Sequence, residues 1–449
     1  MVQADAAGYD GAIRIGMLQS RQSVKMVTAL ANIAMRIASL LCRLGLTFYI
    51  AYQLGLEAVA LYGFTVGAAA IMTAVSGLGI SWRITRFITA ETTPATVARV
   101  RDRIVQRLVV QLPIILVGGC LAAGLWHVPM SLVVPAAAIV MLEPIVVDLH
   151  QACVYRHRSL AGNFALFLRS ASWIPVIVAL GLLDEQWRTS EMVLLGWAIG
   201  LIVAIGFVLV LGLWHEVAWQ GLLQPIDWRW IQASGTSSPI VFVSELGATG
   251  LLYSDRYIVA LLLGDRAAGA FTFIWSIINA VVPIVQGGVF NQMMPQLASQ
   301  WHRRQWQDWL TSFNAAMSHA TWMSIGFGIS AMLAALILLR AAYFPLSINK
   351  VAFASLMTIA TVVRMRADVL HHALYSAEQD SDWIAVNILS LVLGPTMALI
   401  GIGLFGFVGA GAQMVVVAVA LYFMRLRLLR RAIGQAHIAA REQGALLAL

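Results

Sequence analysis

Long apolar stretches recur along this chain and leave little room for any other kind of structure. Each is about 20 residues or longer, the length that a helix needs to cross the hydrocarbon core of a bilayer. Only 11% of the 449 residues are charged, too few to cover a water-soluble protein of this size. The sequence therefore predicts an all-α membrane protein with about 12 transmembrane helices. Their predicted ranges are 26–53, 57–81, 107–126, 130–154, 160–182, 191–214, 238–262, 267–294, 309–339, 345–373, 383–402 and 404–424.

Arginine and lysine residues between these helices indicate the orientation of the chain. If residue 1 lies inside the cell, the inner loops and the two ends carry nineteen cations and the outer loops carry four. Cytoplasmic loops are enriched in Lys and Arg, so we predict that both termini are cytoplasmic. In this count Arg103 and Arg107 belong to the loop between the second and third helices, and Arg425 belongs to a basic tail.

One short segment occurs twice. Residues 54–64 (LGLEAVALYGF) resemble residues 263–273 (LGDRAAGAFTF), and the offset of 209 residues holds without a gap. An even number of spans returns the chain to the same side of the membrane, so parallel repeats are expected. We predict two pseudo-symmetric six-helix lobes. The predicted domains are an N-terminal cytoplasmic segment, an N-lobe, a cytoplasmic linker, a C-lobe and a cytoplasmic tail, at 1–25, 26–214, 215–237, 238–424 and 425–449.

The first predicted lobe holds more cations than carboxylates at membrane depth. Arg36, Arg43 and Arg169 stand against Glu143 and Asp148. Charged side chains inside a bilayer cost about 2.5–3.5 kcal/mol each on insertion scales, and they usually face a cavity or a partner. The excess of arginine favours a water-accessible cavity that receives an anionic head group. The alternative is a set of internal ion pairs, for instance between Arg36 and Glu143.

The second predicted lobe carries charges in its first and fourth helices. Subtracting the repeat offset places Glu245 opposite Arg36, which suggests either a site for a coupling cation or a gate between the lobes. Asp255 and Arg256 in the same helix are further candidates for ion coupling or gating. The i, i+4, i+7 spacing of a third group predicts a local ion pair. The lesser alternative is that this group binds substrate or protons. It comprises Arg364, Asp368 and His371.

Motifs for covalent chemistry are missing. The sequence has no HExxH, GxSxG, Walker loop or zinc-ligand spacing, and its three cysteines lie in apolar stretches. We therefore predict that the protein is not an enzyme and uses no metal or cofactor. The net charge of +8 follows from membrane topology, so nucleic acid is not an expected partner.

The pattern around the repeated segment resembles a known transporter family. Residues 54–64, together with the run Tyr253-Ser254-Asp255-Arg256-Tyr257-Ile258, look like the polysaccharide-exporter branch of the multidrug/oligosaccharidyl-lipid/polysaccharide flippase superfamily. The resemblance covers nearly the whole chain through loose, mostly apolar motifs. The related lipid II flippases usually have fourteen helices, whereas twelve are predicted here.

This resemblance implies a function. It implies export of an undecaprenyl-pyrophosphate-linked oligosaccharide across a bacterial inner membrane by alternating access, for exopolysaccharide, capsule or O-antigen biosynthesis. Arg36, Arg43 and Arg169 match the basic residues that hold the pyrophosphate and anionic sugars in that family. The implied partners are the lipid-linked oligosaccharide, membrane lipids, a polymerase and other polysaccharide-assembly proteins. Two alternatives stay open: a cation-coupled multidrug antiporter, and a membrane polysaccharide polymerase or ligase.

Overall fold

The structure is a computed structural model, and it describes residues 31, 34–79, 93–125, 127–155, 158–212, 219–236, 239–377 and 379–446. Within these ranges, eleven helical segments are long and apolar enough to cross a membrane. The prediction of an all-α membrane protein is confirmed. The predictions for residues 1–30, including the whole N-terminal segment 1–25, lie outside the described residues.

The first lobe contains six long helices. Its fifth helix is interrupted by a π-helical turn at Leu168–Ser172, and its sixth ends in another at Val208–Gly212. Such π turns arise where a helix takes up an extra residue, and they are frequent at functional sites. The helices are α1 (Ala34–Gln53), α2 (Leu56–Gly77), α3 (Thr93–Gly124), α4 (Met130–Tyr155), α5 (Ser159–Phe167 continuing as Ile174–Leu183) and α6 (Ser190–Phe207).

Two short helices, α7 (Trp219–Leu223) and α8 (Trp228–Thr236), lie in the predicted linker, and the second lobe follows them. Its second helix is irregular: Asp265–Ile278 ends at a turn, and Val281–Val285, a π turn at Gln286–Phe290 and Asn291–His302 continue it. This irregularity falls in the helix that holds Pro283. The helices are α9 (Pro239–Leu263), α10 (Asp265–Ile278 with its continuation), α11 (Trp306–Ala341), α12 (Ile348–Ser376), α13 (380–405) and α14 (407–446).

The last two helices form a hairpin. Residues Asp380–Leu446 run without a loop, but Gly406 has non-helical torsions (φ 57°, ψ −135°) that break the helix. A Cβ at Gly409 would overlap the carbonyl of Gly401, so the two arms pack closely on either side of the break. The apolar part alone spans 52 residues, more than twice the length that one membrane crossing needs. It therefore supplies two spans, which gives the predicted total of twelve.

The predicted repeat has the same backbone in both copies. Gly55 joins α1 to α2 with φ 93° and ψ 175°, and Gly264 joins α9 to α10 with φ 85° and ψ 168°. Only glycine adopts such torsions without strain, which explains why both copies carry Leu-Gly at this point. We call the end of the bundle that holds these two junctions the turn end.

Apolar packing differs between the two ends of the bundle. At the turn end one continuous core joins the lobes, with Leu46 and Ile50 from the first lobe and Phe271 and Phe353 from the second. Toward the opposite end, each further apolar cluster of the described residues belongs to a single lobe. Among the apolar clusters of the described residues, only the one at the turn end therefore joins the two lobes.

Candidate functional site

A cavity of about 410 Å³ lies between the lobes, at the middle of the transmembrane helices. Helices α1, α2, α4, α5 and α6 line it from the first lobe, and α9 and α10 line it from the second. Helix α10 is the most enclosed element, since 72% of its most apolar window is buried. A cavity bounded by such central helices lies on the axis between the lobes, where transporters of two repeats bind their substrates.

An ion pair forms one wall of the central cavity. Arg169 Nη2 lies 2.8 Å from Glu143 Oε1, and both side chains are mostly buried. Arg169 belongs to the π turn of α5, and the Trp173 indole donates a hydrogen bond of 3.2 Å to the Arg169 carbonyl. The pair that the sequence suggested, between Arg36 and Glu143, is therefore wrong, because Arg169 takes the place of Arg36.

Arg36 is not among the residues that line the cavity. Its side chain is exposed and donates a weak hydrogen bond of 3.5 Å to Asn163 Oδ1. Arg43, seven residues further along α1, does line the cavity. Two turns of helix separate these arginines, which is enough to place one of them at the cavity and the other beyond it.

Arg256 reaches the same cavity from the second lobe. It is only 1% exposed, and its Nη1 donates a hydrogen bond of 2.8 Å to the carbonyl of Gly63 in α2. Its guanidinium lies 4.8 Å from the ring centre of Tyr253 and 4.6 Å from that of Trp275. Within the described part of the chain, Nε and Nη2 have no hydrogen-bond acceptor. Two donors are therefore left for a ligand.

The lining of the central cavity is positively charged. Three guanidinium groups and one carboxylate face it, so its net charge is +2. Arg169 is neutralised by Glu143, whereas Arg43 and Arg256 form no ion pair within the described residues. Such a cavity attracts anions, because unbalanced charges at membrane depth are stabilised by a ligand of opposite sign.

A buried cluster of charged residues at the end opposite the turn end was not predicted from the sequence. Arg107 forms a two-pronged ion pair with Asp148, in which Nη2 lies 2.6 Å from Oδ1, and it also donates to Ser76 Oγ at 2.7 Å. Arg103 donates to the Gly77 carbonyl at 2.9 Å. Both arginines are 1% exposed inside α3, so assigning them to a loop was wrong.

A signal for this cluster was present in the sequence. Thr93-Pro94 is a typical helix start, because Pro is favoured in the first turn and Thr at the cap. From that start, Arg103 and Arg107 fall on one face of α3 at i, i+4 spacing. The low hydropathy of the segment concealed the helix from a search based on apolar length.

Glu245 faces this cluster. Its Oε2 lies 3.4 Å from the position of a Cβ on Gly77, and its charge interacts with those of Arg103, Arg107 and Asp148. Glu245 thus lies near two arginines of α3, which form their ion pairs with Asp148, and not opposite Arg36 as the repeat offset suggested. It is a cross-lobe contact of polar character, at the end where the apolar clusters stay within one lobe.

Asp255 and Arg256 point into different cavities. Asp255 accepts a hydrogen bond of 3.0 Å from Gln413 and lines a second cavity, of about 320 Å³, inside the second lobe. The predicted group in α12 lines this same cavity. In this group Arg364 and Asp368 form a long ion pair of 3.9 Å. Asp368 forms a shorter ion pair, of 3.0 Å, with Arg425.

Arg425 belongs to α14 and is 7% exposed, so its assignment to a basic tail is wrong. His371 also lines the second cavity, beside His372. Two carboxylates and two guanidinium groups balance one another there. Among the described residues, no group of three His, Cys, Asp or Glu side chains converges as metal ligands would.

Comparisons with known proteins identify the fold. No family model and no curated protein sequence matches the chain. Among solved structures, an inward-facing multidrug resistance MATE family transporter of the MOP superfamily matches with a TM-score of 0.70 at 14% identity, over 90% of this chain and 99% of that one.

Two other structures differ in what they are described to do. A MOP superfamily transporter from Pyrococcus furiosus, described as having a binding pocket of reversed polarity, matches with a TM-score of 0.61 at 12% identity, over 90% of this chain and 94% of that one. The lipid II flippase MurJ in an inward closed conformation matches with a TM-score of 0.62 at 9% identity, over 90% of this chain and 87% of that one. This multi-pass membrane protein therefore has the two-lobed, twelve-helix fold of the MOP superfamily transporters.

Proposed function

We propose that this protein is a flippase that moves an undecaprenyl-pyrophosphate-linked oligosaccharide across a bacterial inner membrane by alternating access. The observation that carries the proposal is the net charge of +2 in the central cavity. A pyrophosphate that joins a lipid to a sugar carries about two negative charges near neutral pH. The positive charge of the cavity therefore balances the negative charge of the pyrophosphate.

The geometry of the cavity supports an anionic head group. Arg43 and Arg169 line it from the first lobe and Arg256 lines it from the second. Guanidinium groups present several donors in a plane and bind phosphate oxygens in pairs, so arginines on opposite walls can hold a pyrophosphate between the lobes. We assign the head group to these three residues and place Arg36 outside the site.

Further charged residues have roles in the cycle under this proposal. Glu245 is assigned to a gate, since it lies beside Gly77 of the first lobe, whose carbonyl accepts from Arg103 of α3. Asp255 and the second cavity are assigned to ion coupling. The excess of cations in inner loops supports cytoplasmic termini. The turn end then faces the outside of the cell.

Both alternative functions fit the cavity less well. A multidrug antiporter that takes up cations needs carboxylates in its cavity, whereas the single carboxylate here, Glu143, is neutralised by Arg169. A polymerase or ligase carries catalytic residues on a long outer loop, but α1 and α2 are joined through Gly55 and α9 and α10 through Gly264. The fold alone does not decide between a flippase and these alternatives, since one fold hosts many functions.

Binding measurements test the proposal. Purified protein in lipid nanodiscs is titrated with undecaprenyl pyrophosphate, with undecaprenol as the uncharged lipid and with rhodamine 6G as a cationic drug. We expect saturable binding of the pyrophosphate lipid alone. Arg43→Ala should weaken it about 10- to 100-fold, since a hydrogen bond to a charged group contributes about 1.5–3 kcal/mol. The control is Arg340→Ala, an exposed residue at the end of α11.

A second variant tests the sign of the charge of the cavity lining. Glu143→Gln removes the only carboxylate of the lining and frees Arg169, so it should tighten binding of undecaprenyl pyrophosphate several-fold. Glu191→Gln, which removes a carboxylate that accepts from Ser131 at 3.3 Å, is the matched control. Binding of rhodamine 6G in preference to the pyrophosphate lipid would contradict the flippase and support the antiporter.

A further inference from the structure

The second-lobe wall of the central cavity carries a stripe of neutral polar side chains. Thr272, Ser276 and Asn279 recur at i, i+4, i+7 spacing along α10, so they share one face of the helix. All three line the central cavity, and Thr249 of α9 joins them. Between residues 267 and 285, α10 is otherwise apolar and it is deeply enclosed, so a polar stripe there needs a partner.

Hydrogen-bonding capacity is left over on this wall. Thr272 is 3% exposed, and its Oγ1 is buried without a partner among the described residues. Ser276 donates to the Thr272 carbonyl at 2.6 Å, which leaves its oxygen free to accept. The side chains of Thr249 and Asn279 form no hydrogen bond with the rest of the described chain.

The hydroxyl groups of the opposite wall are bonded within their own helices, as that of Ser276 is, whereas the hydroxyl group of Thr272 is not. Thr47, Thr73 and Ser170 line the cavity from the first lobe, and each donates to the carbonyl four residues earlier in its own helix, at 2.9, 2.8 and 2.7 Å. Among the Thr, Ser and Asn side chains that line the cavity, those without a hydrogen bond to the described chain, Thr249, Thr272 and Asn279, are therefore all on the second lobe. The first lobe contributes the charged groups Arg43, Glu143 and Arg169.

This division points to a ligand with two parts. Guanidinium groups bind anions, whereas Thr, Ser and Asn side chains both donate and accept and so match sugar hydroxyl groups. We infer that Thr249, Thr272, Ser276 and Asn279 form a subsite for the sugar residue that is attached directly to the pyrophosphate. The inference rests on the proposed function, and it assigns the choice of sugar to α10 and the anion to the arginines.

A comparison of glycosylated and bare lipids tests the subsite. The probes are undecaprenyl pyrophosphate and a panel in which it carries one glucose, galactose, N-acetylglucosamine or N-acetylgalactosamine. For wild type, we expect at least one sugar to tighten binding about tenfold or more, which corresponds to one or two additional hydrogen bonds. Asn279→Ala and Thr272→Val should reduce that gain to less than about threefold and leave the affinity for bare undecaprenyl pyrophosphate unchanged.

Matched variants separate recognition from folding. Asn314→Ala and Ser330→Ala change exposed polar residues of α11 that do not line the cavity, and both should retain the gain from the sugar. Thr272→Ser keeps the hydroxyl group and should retain it as well. Unchanged binding of the bare lipid shows that each variant is folded.

The two hypotheses fail in different ways. If wild type does not bind the bare pyrophosphate lipid, the proposed function is overturned and the subsite with it. If the bare lipid binds but no sugar of the panel adds affinity, the subsite is overturned and the flippase proposal stands. Asn279→Ala and Thr272→Val variants that keep the full gain from the sugar would likewise overturn the subsite.

Discussion

Buried arginines in this protein differ in how completely their donors are used. Arg107 is bonded to Asp148, Ser76 and the Thr73 carbonyl. Arg256 has a single hydrogen bond and two donors without acceptors in the described chain. A fully bonded buried charge holds structure together, whereas a partly bonded one is stable only with a ligand or water. This difference separates Arg107 of the structural cluster from Arg256 of the cavity.

The cluster around Asp148 should therefore be essential for stability. Asp148→Asn leaves Arg103 and Arg107 without their carboxylate, and breaking a buried ion pair from one side costs about 3–5 kcal/mol. Asp227→Asn is the control, because it weakens the partly exposed pair with Arg99, and such pairs near the surface are worth about 1 kcal/mol or less. We expect a large fall in the thermal midpoint of detergent-purified protein for Asp148→Asn alone, measured by tryptophan fluorescence. Equal shifts in both variants would contradict this role.

The sequence indicated which arginines line the cavity better than it indicated which residues those arginines bond to. Arg43 and Arg169 were recognised because charges at membrane depth are rare. Their partners depend on helix rotation and on the π turn of α5, which the apolar pattern does not encode. Arg256 was predicted to act in ion coupling or gating and not at the anion site, because its bond to the Gly63 carbonyl joins residues 193 positions apart.

At the scale of elements, the packing of α2 against α10 defines the boundary between the lobes. A Cβ at Gly269 would overlap the Leu56 carbonyl, and a Cβ at Gly63 would lie 2.7 Å from Thr272 Oγ1. Small residues allow membrane helices to approach closely and so provide the packing that holds them together. Helix number and order were predictable from apolar length. The extended start of α3 was not, because its polar first turns resemble a loop.

Gly269→Ala should therefore disturb the lobe interface. The added methyl group meets backbone, which cannot rotate away, so α2 and α10 must move apart. Gly118→Ala is the matched control, since nothing lies within 4 Å of its Cβ position in α3. The same substitution at an open helical site is favourable by about 0.5–1 kcal/mol. We expect a lower thermal midpoint and a smaller monodisperse fraction for Gly269→Ala only. A midpoint equal to that of the control would show that the crossing has room to adjust.

At the scale of the molecule, the two ends of the bundle are closed by different forces. The turn end is sealed by an apolar core shared between the lobes, whereas at the opposite end Glu245 of α9 lies beside Gly77 of α2, next to the charged cluster of the first lobe. An apolar interface loses contact area on opening, and a polar contact can exchange its partner for water. The described conformation is thus the one in which the turn end is closed, and the proposed transport cycle requires that end to separate.

A cross-link across the turn end tests this requirement. The rings of Tyr52 in α1 and Tyr343 after α11 lie 5.8 Å apart and belong to different lobes. In protein whose three native cysteines are replaced by serine, Tyr52→Cys and Tyr343→Cys should be joined by a short bis-methanethiosulfonate reagent. We expect flipping of fluorescent pyrophosphate-linked lipid in proteoliposomes to stop, and dithiothreitol to restore it.

The control cross-link lies within one lobe. Phe164 and Phe207 of α5 and α6 have ring centres 4.9 Å apart, and both belong to the first lobe. Joining Phe164→Cys to Phe207→Cys should leave flipping intact, because lobes that move as rigid bodies keep their internal distances. If the Tyr52–Tyr343 cross-link is complete and flipping continues at the uncross-linked rate, the turn end does not need to open. The substrate would then have to leave by a path that does not separate the apolar core.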